Sequence, residues 1–213
     1  MKAVGIDGSA KRWAIVALES GRFVAATVSK ALTPSPPICD GATAIGIDIP
    51  LTTPTEGRRG AESLARGRLP GRSSSVFSTP PVDILDEATY QDALDRARRV
   101  YGYGISAQAY ALRRAIFDAR DSQLALHEVH PELSFGVMNS GPLLASKKSW
   151  SGMRQRLDLL ADQGITIPAN VGTAGDVPTD DLLDACAAAW SADRIGRGSA
   201  EKIGDEAGGY IWI

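Results

Sequence analysis

The sequence predicts an α/β domain built on a mixed sheet, with a long helical segment inserted between the fourth and fifth strands. Three observations carry this prediction. Residues 2–7, 13–18, 23–28 and 44–49 are four short apolar, β-like runs. From Leu51 to Ser122 no further strand can be read, although a parallel crossover needs only about a dozen residues. A fifth apolar run, 124–129, then appears, and helical periodicity dominates after it.

Residues 2–7 read as a strand buried on both faces, because the apolar character is continuous rather than alternating. The next two runs are joined by Glu19-Ser20-Gly21-Arg22, a hairpin connection in which glycine supplies the positive φ. The first three strands are therefore expected to be antiparallel, with Trp13 in the core. Thr33-Pro34-Ser35-Pro36-Pro37 excludes regular structure. The fourth strand follows Asp40-Gly41 and ends at Pro50.

Within the long segment, 55–69 is rich in Arg, Ala, Leu and Glu but broken by Gly57, Gly60 and Gly67, and 70–77 reads as an ordered loop. Asp86 and Glu87 suit the first turn of a helix running to Tyr101, where the macrodipole favours acids. Ser106 can cap a second helix reaching Arg120. After the fifth strand, helices are expected over 131–138, 152–161 and 180–194, the last packing through Leu182, Leu183, Cys186, Ala187 and Trp190. Residues 165–168 form a short strand or a turn, and the tail 208–213 is apolar enough to dock as an edge strand.

At 213 residues the chain suits one domain, 1–213, with 51–122 as its helical, arginine-rich insertion. No apolar run approaches the ~18 residues of a membrane span, and no secretory pattern opens the chain. Cys39 and Cys186 are isolated, as reduced thiols are, and a cytoplasmic location is expected. The net charge of −2 argues against a constitutive nucleic-acid coat. Its distribution is uneven: residues 58–120 hold eleven basic and seven acidic side chains, and 121–213 hold seven and thirteen. That asymmetry fits a basic phosphate-facing segment beside an acidic metal site, and equally an ordinary salt-bridged surface.

The chemistry-bearing residues are carboxylates. Asp7, Asp48 and Glu128 each lie at or near the C-terminal end of an expected strand, the edge at which open α/β sheets form their sites. Each alone is most simply a turn or capping residue. Three gathered at one edge repel, and a bound cation is the usual remedy. Asp180-Asp181-Leu182-Leu183-Asp184 adds a further group, with Asp181 and Asp184 on one helix face. Asp180 suits a first turn, whereas Asp184 lies deeper and is better explained by a metal. Oxygen ligands without a histidine cluster point to Mg²⁺ or Mn²⁺. Two such ions about 4 Å apart would support in-line attack on a phosphodiester.

His127 and His130 flank Glu128 and read as turn or surface residues more readily than as ligands. Lys147-Lys148 and Arg154 with Arg156 are weak phosphate candidates, and Ser73-Ser74-Ser75 after Arg72 is a balanced one. No Walker A loop, Gly-x-Ser-x-Gly elbow, His-Glu-x-x-His or complete Gly-x-Gly-x-x-Gly is present.

Several pieces of the chain, in order, carry a resemblance: Gly5-Ile6-Asp7-Gly8 with Trp13, Ile47-Asp48-Ile49-Pro50, Gly57-Arg58-Arg59, Ser74-Ser75-Val76-Phe77, Glu128-Val129-His130-Pro131-Glu132-Leu133-Ser134-Phe135, Ser146-Lys147-Lys148 and Asp180-Asp181-Leu182-Leu183-Asp184-Ala185. The chain resembles the RNase H-like fold and, more closely, domain-of-unknown-function family 429, predicted RNase H-like nucleases. The resemblance implies a mixed five-stranded sheet of order 3-2-1-4-5 with flanking helices, placing Asp7, Asp48 and Glu128 side by side. It implies a metal-dependent nuclease. In that reading Asp7, Asp48, Glu128 and Asp184 are catalytic and, with Asp181, hold Mg²⁺ or Mn²⁺. Arg58, Arg59, Arg72, Ser74, Ser75, His130 and Lys147 would meet the substrate.

The expected partner is nucleic acid, DNA or RNA; no membrane is involved, and a homodimer is left open. Two other readings stand beside it. One is an ATP-phosphate site at the Asp7-Gly8 turn, as in relatives of the same fold, although one domain of this size lacks a second lobe to close over a nucleotide. The other is a non-catalytic module holding nucleic acid or protein through its arginines.

Overall fold

In the computed structural model, which describes residues 1–9, 12–55 and 57–213, the N-terminal apolar run becomes the central strand of a sheet. This strand, β1 (Lys2–Ser9), pairs antiparallel with β2 (Arg12–Glu19), which pairs antiparallel with β3 (Arg22–Ser29). The β2–β3 hairpin turns through Ser20 and Gly21, at φ 48° and 77°, a pair of positive values whose twist matches that of the strands. On its other side β1 pairs in parallel with β4 (Ala44–Asp48), and β4 in parallel with β5 (Leu126–Glu128). The order is therefore β3-β2-β1-β4-β5, a mixed sheet as the resemblance implied.

Register assigns the faces. Gly5 pairs with Gly46 and Asp7 with Asp48, and side chains two apart share a face, so these four point the same way. Val4, Ile6, Ile45 and Ile47 point the other way and bury with Trp13, Leu32, Leu85, Ile116 and Ala119.

Between β4 and β5 the described residues form five helices: α1 (Gly60–Arg68), α2 (Val82–Leu85), α3 (Tyr90–Tyr101), α4 (Ala107–Ala111) and α5 (Arg113–Asp121). Only the part of 55–69 beyond Arg59 is helical, and Glu56 lies outside the described residues. Helix α3 starts at Tyr90 rather than Asp86 because the Thr89 hydroxyl accepts from the Asp92 N–H and caps it there. Ser106 caps α4 in the same way, but a shallow residue at Leu112 (φ −68°, ψ −13°) divides α4 from α5. From α5, Asp118 accepts the Trp13 Nε1–H at 2.6 Å, tying the insertion to the sheet.

After β5 come α6 (Pro131–Met138), α7 (Trp150–Asp162) and α8 (Thr179–Gly196). Residues 165–168 are neither helix nor strand. The tail forms β7 (Gly209–Trp212), as expected of an apolar end, but its main partner is β6 (Lys202–Asp205). Only one parallel bridge, Val129 to Trp212, ties it to the strand register of β5. Cys39 and Cys186 are free and buried. Among the described residues no helix is long and apolar enough to cross a membrane.

Helix α8 lies on the Gly5/Gly46 face and is buried from Leu183 to Asp193, not only along one stripe. The sheet covers one side, and Phe135 of α6, Leu160 of α7 and Leu143 between them cover the other. Alanines at 185, 187, 188, 189 and 192 let the backbone come close on both sides. The approach is tight. A Cβ on Gly5 would lie 2.1 Å from Ala185 O and from Ala189 N, and one on Gly46 would lie 2.6 Å from Ala188 O. The Gly5→Ala protein is expected to lose about 1–3 kcal/mol by overpacking. Gly67 in α1 has open space around it, so Gly67→Ala should gain about 0.4–1 kcal/mol. Urea denaturation of the two variants measures the contrast, and equal effects would refute it.

Candidate metal centre

The close seat of α8 is what assembles the site. Asp7 and Asp48 are register partners at the C-terminal ends of parallel strands. Asp184 precedes Ala185, whose carbonyl lies against Gly5, so the first turns of α8 hang over the two strand ends. One oxygen from each of Asp7, Asp48 and Asp184 lies within 4.8 Å of the other two. Asp7 is 6% exposed and Asp184 2%, while Asp48 is half-buried. Asp184 Oδ2 accepts from Lys147 Nζ. Asp184 Oδ1 is buried with no hydrogen-bond partner among the described residues.

Burial and mutual repulsion show in the acidities. Burial pushes Asp7 well above the usual carboxyl range, and the charges of Asp184, Asp48 and Asp181 add to it. Burial raises Asp48 to about 6, against the pull of Lys147. It raises Asp184 to about 7, with Lys147 again opposing. Ionising all three carboxylates together is costly unless a cation stands among them. The group fits a hard divalent cation: every donor is a carboxylate oxygen, and Asp184 Oδ1 is orphaned beside them.

The trio lies in a cavity of about 410 Å³, walled by Ser75, Val76, Phe77, His130, Glu132, Lys147 and Lys148 among others. Asp180 and Asp181, in the first turn of α8, also line it. Asp180 Oδ2 stands 3.8 Å from Lys147 Nζ.

Glu128 is the expected ligand that the structure does not bring into the group. Its register partner is Ile47, not Asp48, and a one-residue offset sends a side chain to the opposite face. There its oxygens accept from Arg59 Nη1 at 2.8 Å and Nη2 at 2.7 Å, and from the Leu51 N–H at 2.9 Å. Arg59 was expected to meet substrate. It is instead 1% exposed, with Nε also donating to Gly208 O at 2.7 Å. The pair joins β5, the start of α1 and the tail.

Other arginines are likewise engaged by the chain, although Arg59 and Arg72 also line the cavity. Arg72 donates to Leu143 O at 3.0 Å and Ala145 O at 2.6 Å. Arg156 is fully buried and pairs with Glu132 Oε1 at 2.6 Å, and Arg154 pairs with Asp158 on the surface. Arg58 is exposed and leans over the Tyr103 ring, 5.9 Å from its centre, outside the acidic cavity. Ser74 is exposed and is not part of that wall; Ser75 is, although its hydroxyl donates to Arg72 O at 2.8 Å. His130 lines the cavity, with Nε2 3.4 Å from Ser75 O. Burial lowers its pKa, so it is neutral at pH 7.

Glu132 is the residue that sequence reasoning missed. It is 8% exposed, lines the cavity, and keeps Oε2 without a partner among the described residues. The signal lay in its own motif: Pro131 opens α6, so Glu132 falls in the first turn directly after β5, a position that a capping role explains equally well.

A family model described as "Protein of unknown function (DUF429)" matches residues 5–208, nearly the whole chain. No curated protein and no solved structure matches it.

Two outcomes follow from this geometry. Asp48 and Asp184 have folded pKa values above their unfolded ones, so they bind protons more tightly when folded. Their contribution to stability is full below about pH 4 and is lost as pH rises through about 6 to 7. The melting temperature of metal-free protein should therefore fall between about pH 5 and about pH 8, less steeply in Asp48→Asn, and Mn²⁺ should restore it at the upper end. A flat or rising profile would contradict the buried trio. Arg59→Met strands a buried carboxylate and should cost about 3–5 kcal/mol in urea denaturation. A cost below about 1 kcal/mol, as for an exposed pair, would show the pair to be dispensable.

Proposed function

The chain belongs to the DUF429 family, and from that premise we propose that it is a divalent-metal-dependent nuclease of RNase H-like architecture, hydrolysing phosphodiester bonds of nucleic acid. The observation that carries this reading is the meeting of Asp7, Asp48 and Asp184 within 4.8 Å at the C-terminal edge of two parallel strands. A sheet of order β3-β2-β1-β4-β5 with a first antiparallel triple supports the RNase H-like comparison.

Asp7, Asp48 and Asp184 would hold Mg²⁺ or Mn²⁺. A bound divalent ion would supply Lewis-acid stabilisation of charge at the phosphoryl group. The chain's own contributions surround that position. Lys147 and Lys148 bring positive charge to the cavity wall, where a phosphate oxygen can meet it. Ser75, neutral His130, Val76 and Phe77 line the same cavity. The arginines of 58–72 support the reading differently from the first expectation: Arg59 and Arg72 hold the walls, and Arg58 beside Tyr103 is the exposed cation left to follow a nucleic-acid strand.

The test is Mn²⁺- and Mg²⁺-dependent cleavage of labelled single-stranded, duplex, hybrid and branched substrates by the wild type and Asp7→Asn. The wild type should cleave at least one class, and the variant should be slower by about 100-fold or more. Equal rates in both proteins, or no cleavage by the wild type with either ion, would remove the proposal.

A further inference from the structure

Lys147 brings an ammonium to the edge of the acidic trio. Its Nζ donates to Asp184 Oδ2 and lies 3.8 Å from Asp180 Oδ2. Asp184 Oδ1, the other oxygen of the same carboxylate, is buried and has no partner among the described residues. One carboxylate of the trio thus presents one oxygen to an ammonium and keeps the other buried and without a partner among the described residues. In a two-ion centre a carboxylate shared between ions would use both oxygens for metal. Here one of the two is already engaged.

The lysine is held there. Arg72 donates to the carbonyls of Leu143 and Ala145, two residues before it. Ser149 Oγ donates to Ser146 O at 2.7 Å and accepts from the Gly152 N–H at 3.2 Å, pinning the loop to the start of α7. Gly152 lets that contact close: a Cβ there would lie 2.0 Å from Ser146 O. Lys147 therefore leaves from a loop fixed on both sides, with its side chain only about a third exposed. Lys148, next along, is exposed and forms no ion pair with the trio among the described residues, and serves as its comparison.

The same ammonium is within reach of both Asp184 and Asp180, so a second ion on that side of the trio would have to displace the lysine and break its bond to Asp184.

We infer that Lys147 replaces one of the two metal ions, so that the centre takes a single divalent cation per chain beside a built-in ammonium. The inference rests on the metal-centre reading above, and refines it from two ions to one ion and a lysine.

Mn²⁺ titration followed by electron paramagnetic resonance and by calorimetry reads the stoichiometry without any substrate. The wild type and Lys148→Met should bind one ion per chain, Lys147→Met two, and Lys147→Arg one, since a cation is retained. Asp7→Asn should bind none with comparable affinity. Circular dichroism and melting curves establish that each variant is folded. Two ions in the wild type, or one in Lys147→Met, would overturn the role of Lys147 while leaving the metal centre standing. No bound ion in the wild type or in Lys147→Met would overturn the metal centre itself and this inference with it.

Discussion

The structure depends on one close contact, the seat of α8 on the bare backbone of β1 and β4. Gly5 and Gly46 remove the side chains that would hold a helix at ordinary distance, and the alanines of α8 do the same from above. Interiors are packed densely enough that such a gap has no other filling. The consequence is chemical. Asp7 and Asp48 stand two residues beyond the glycines on the same face, and Asp184 directly precedes the alanine that touches Gly5. A helix lifted by one methyl group's thickness would carry Asp184 away from the strand ends.

Around that contact the molecule sets charge in two ways. Glu128 is paired through both oxygens with buried Arg59, and Glu132 through one with buried Arg156. Such pairs are held by geometry rather than by a large net gain, since desolvation offsets much of the attraction. They fix the cavity walls: Arg59 ties β5 to the tail, and Arg156 ties α6 to α7. The trio is treated differently. Asp7 and Asp48 receive no arginine, and Asp184 receives a lysine on only one oxygen. The same fold that pairs its structural carboxylates with arginines leaves these under strain from burial and from each other, which is the condition a divalent ion relieves.

The β4-to-β5 register shows how narrow the margin is. Adjacent strands bring Asp48 and Glu128 near one another, and one residue of offset puts their side chains on opposite faces. Glu128 lies under the site and braces it through Arg59, while Asp184, from a helix far along the chain, completes the trio from above.

The sequence by itself determined the five strands of the main sheet, because their apolar runs and turn residues are local signals, whereas β6 has no such run and was not legible. It marked Asp7, Asp48 and Asp184 because an acid at a strand end or inside a packed helix is conspicuous one residue at a time. Helix starts were less legible: both Asp86 and Thr89 are plausible openings, and only the Thr89 hydroxyl's bond to Asp92 N–H selects the second. The partners of the arginines were not legible at all. Arg59, Arg72 and Arg156 look like phosphate ligands in a linear reading, and their acceptors lie far along the chain. The faces of Glu128 and Asp48 depend on register, and the pairing of Lys147 with Asp184 on a loop pinned on both sides. Those are long-range relations between residues, and a sequence lists residues without their distances.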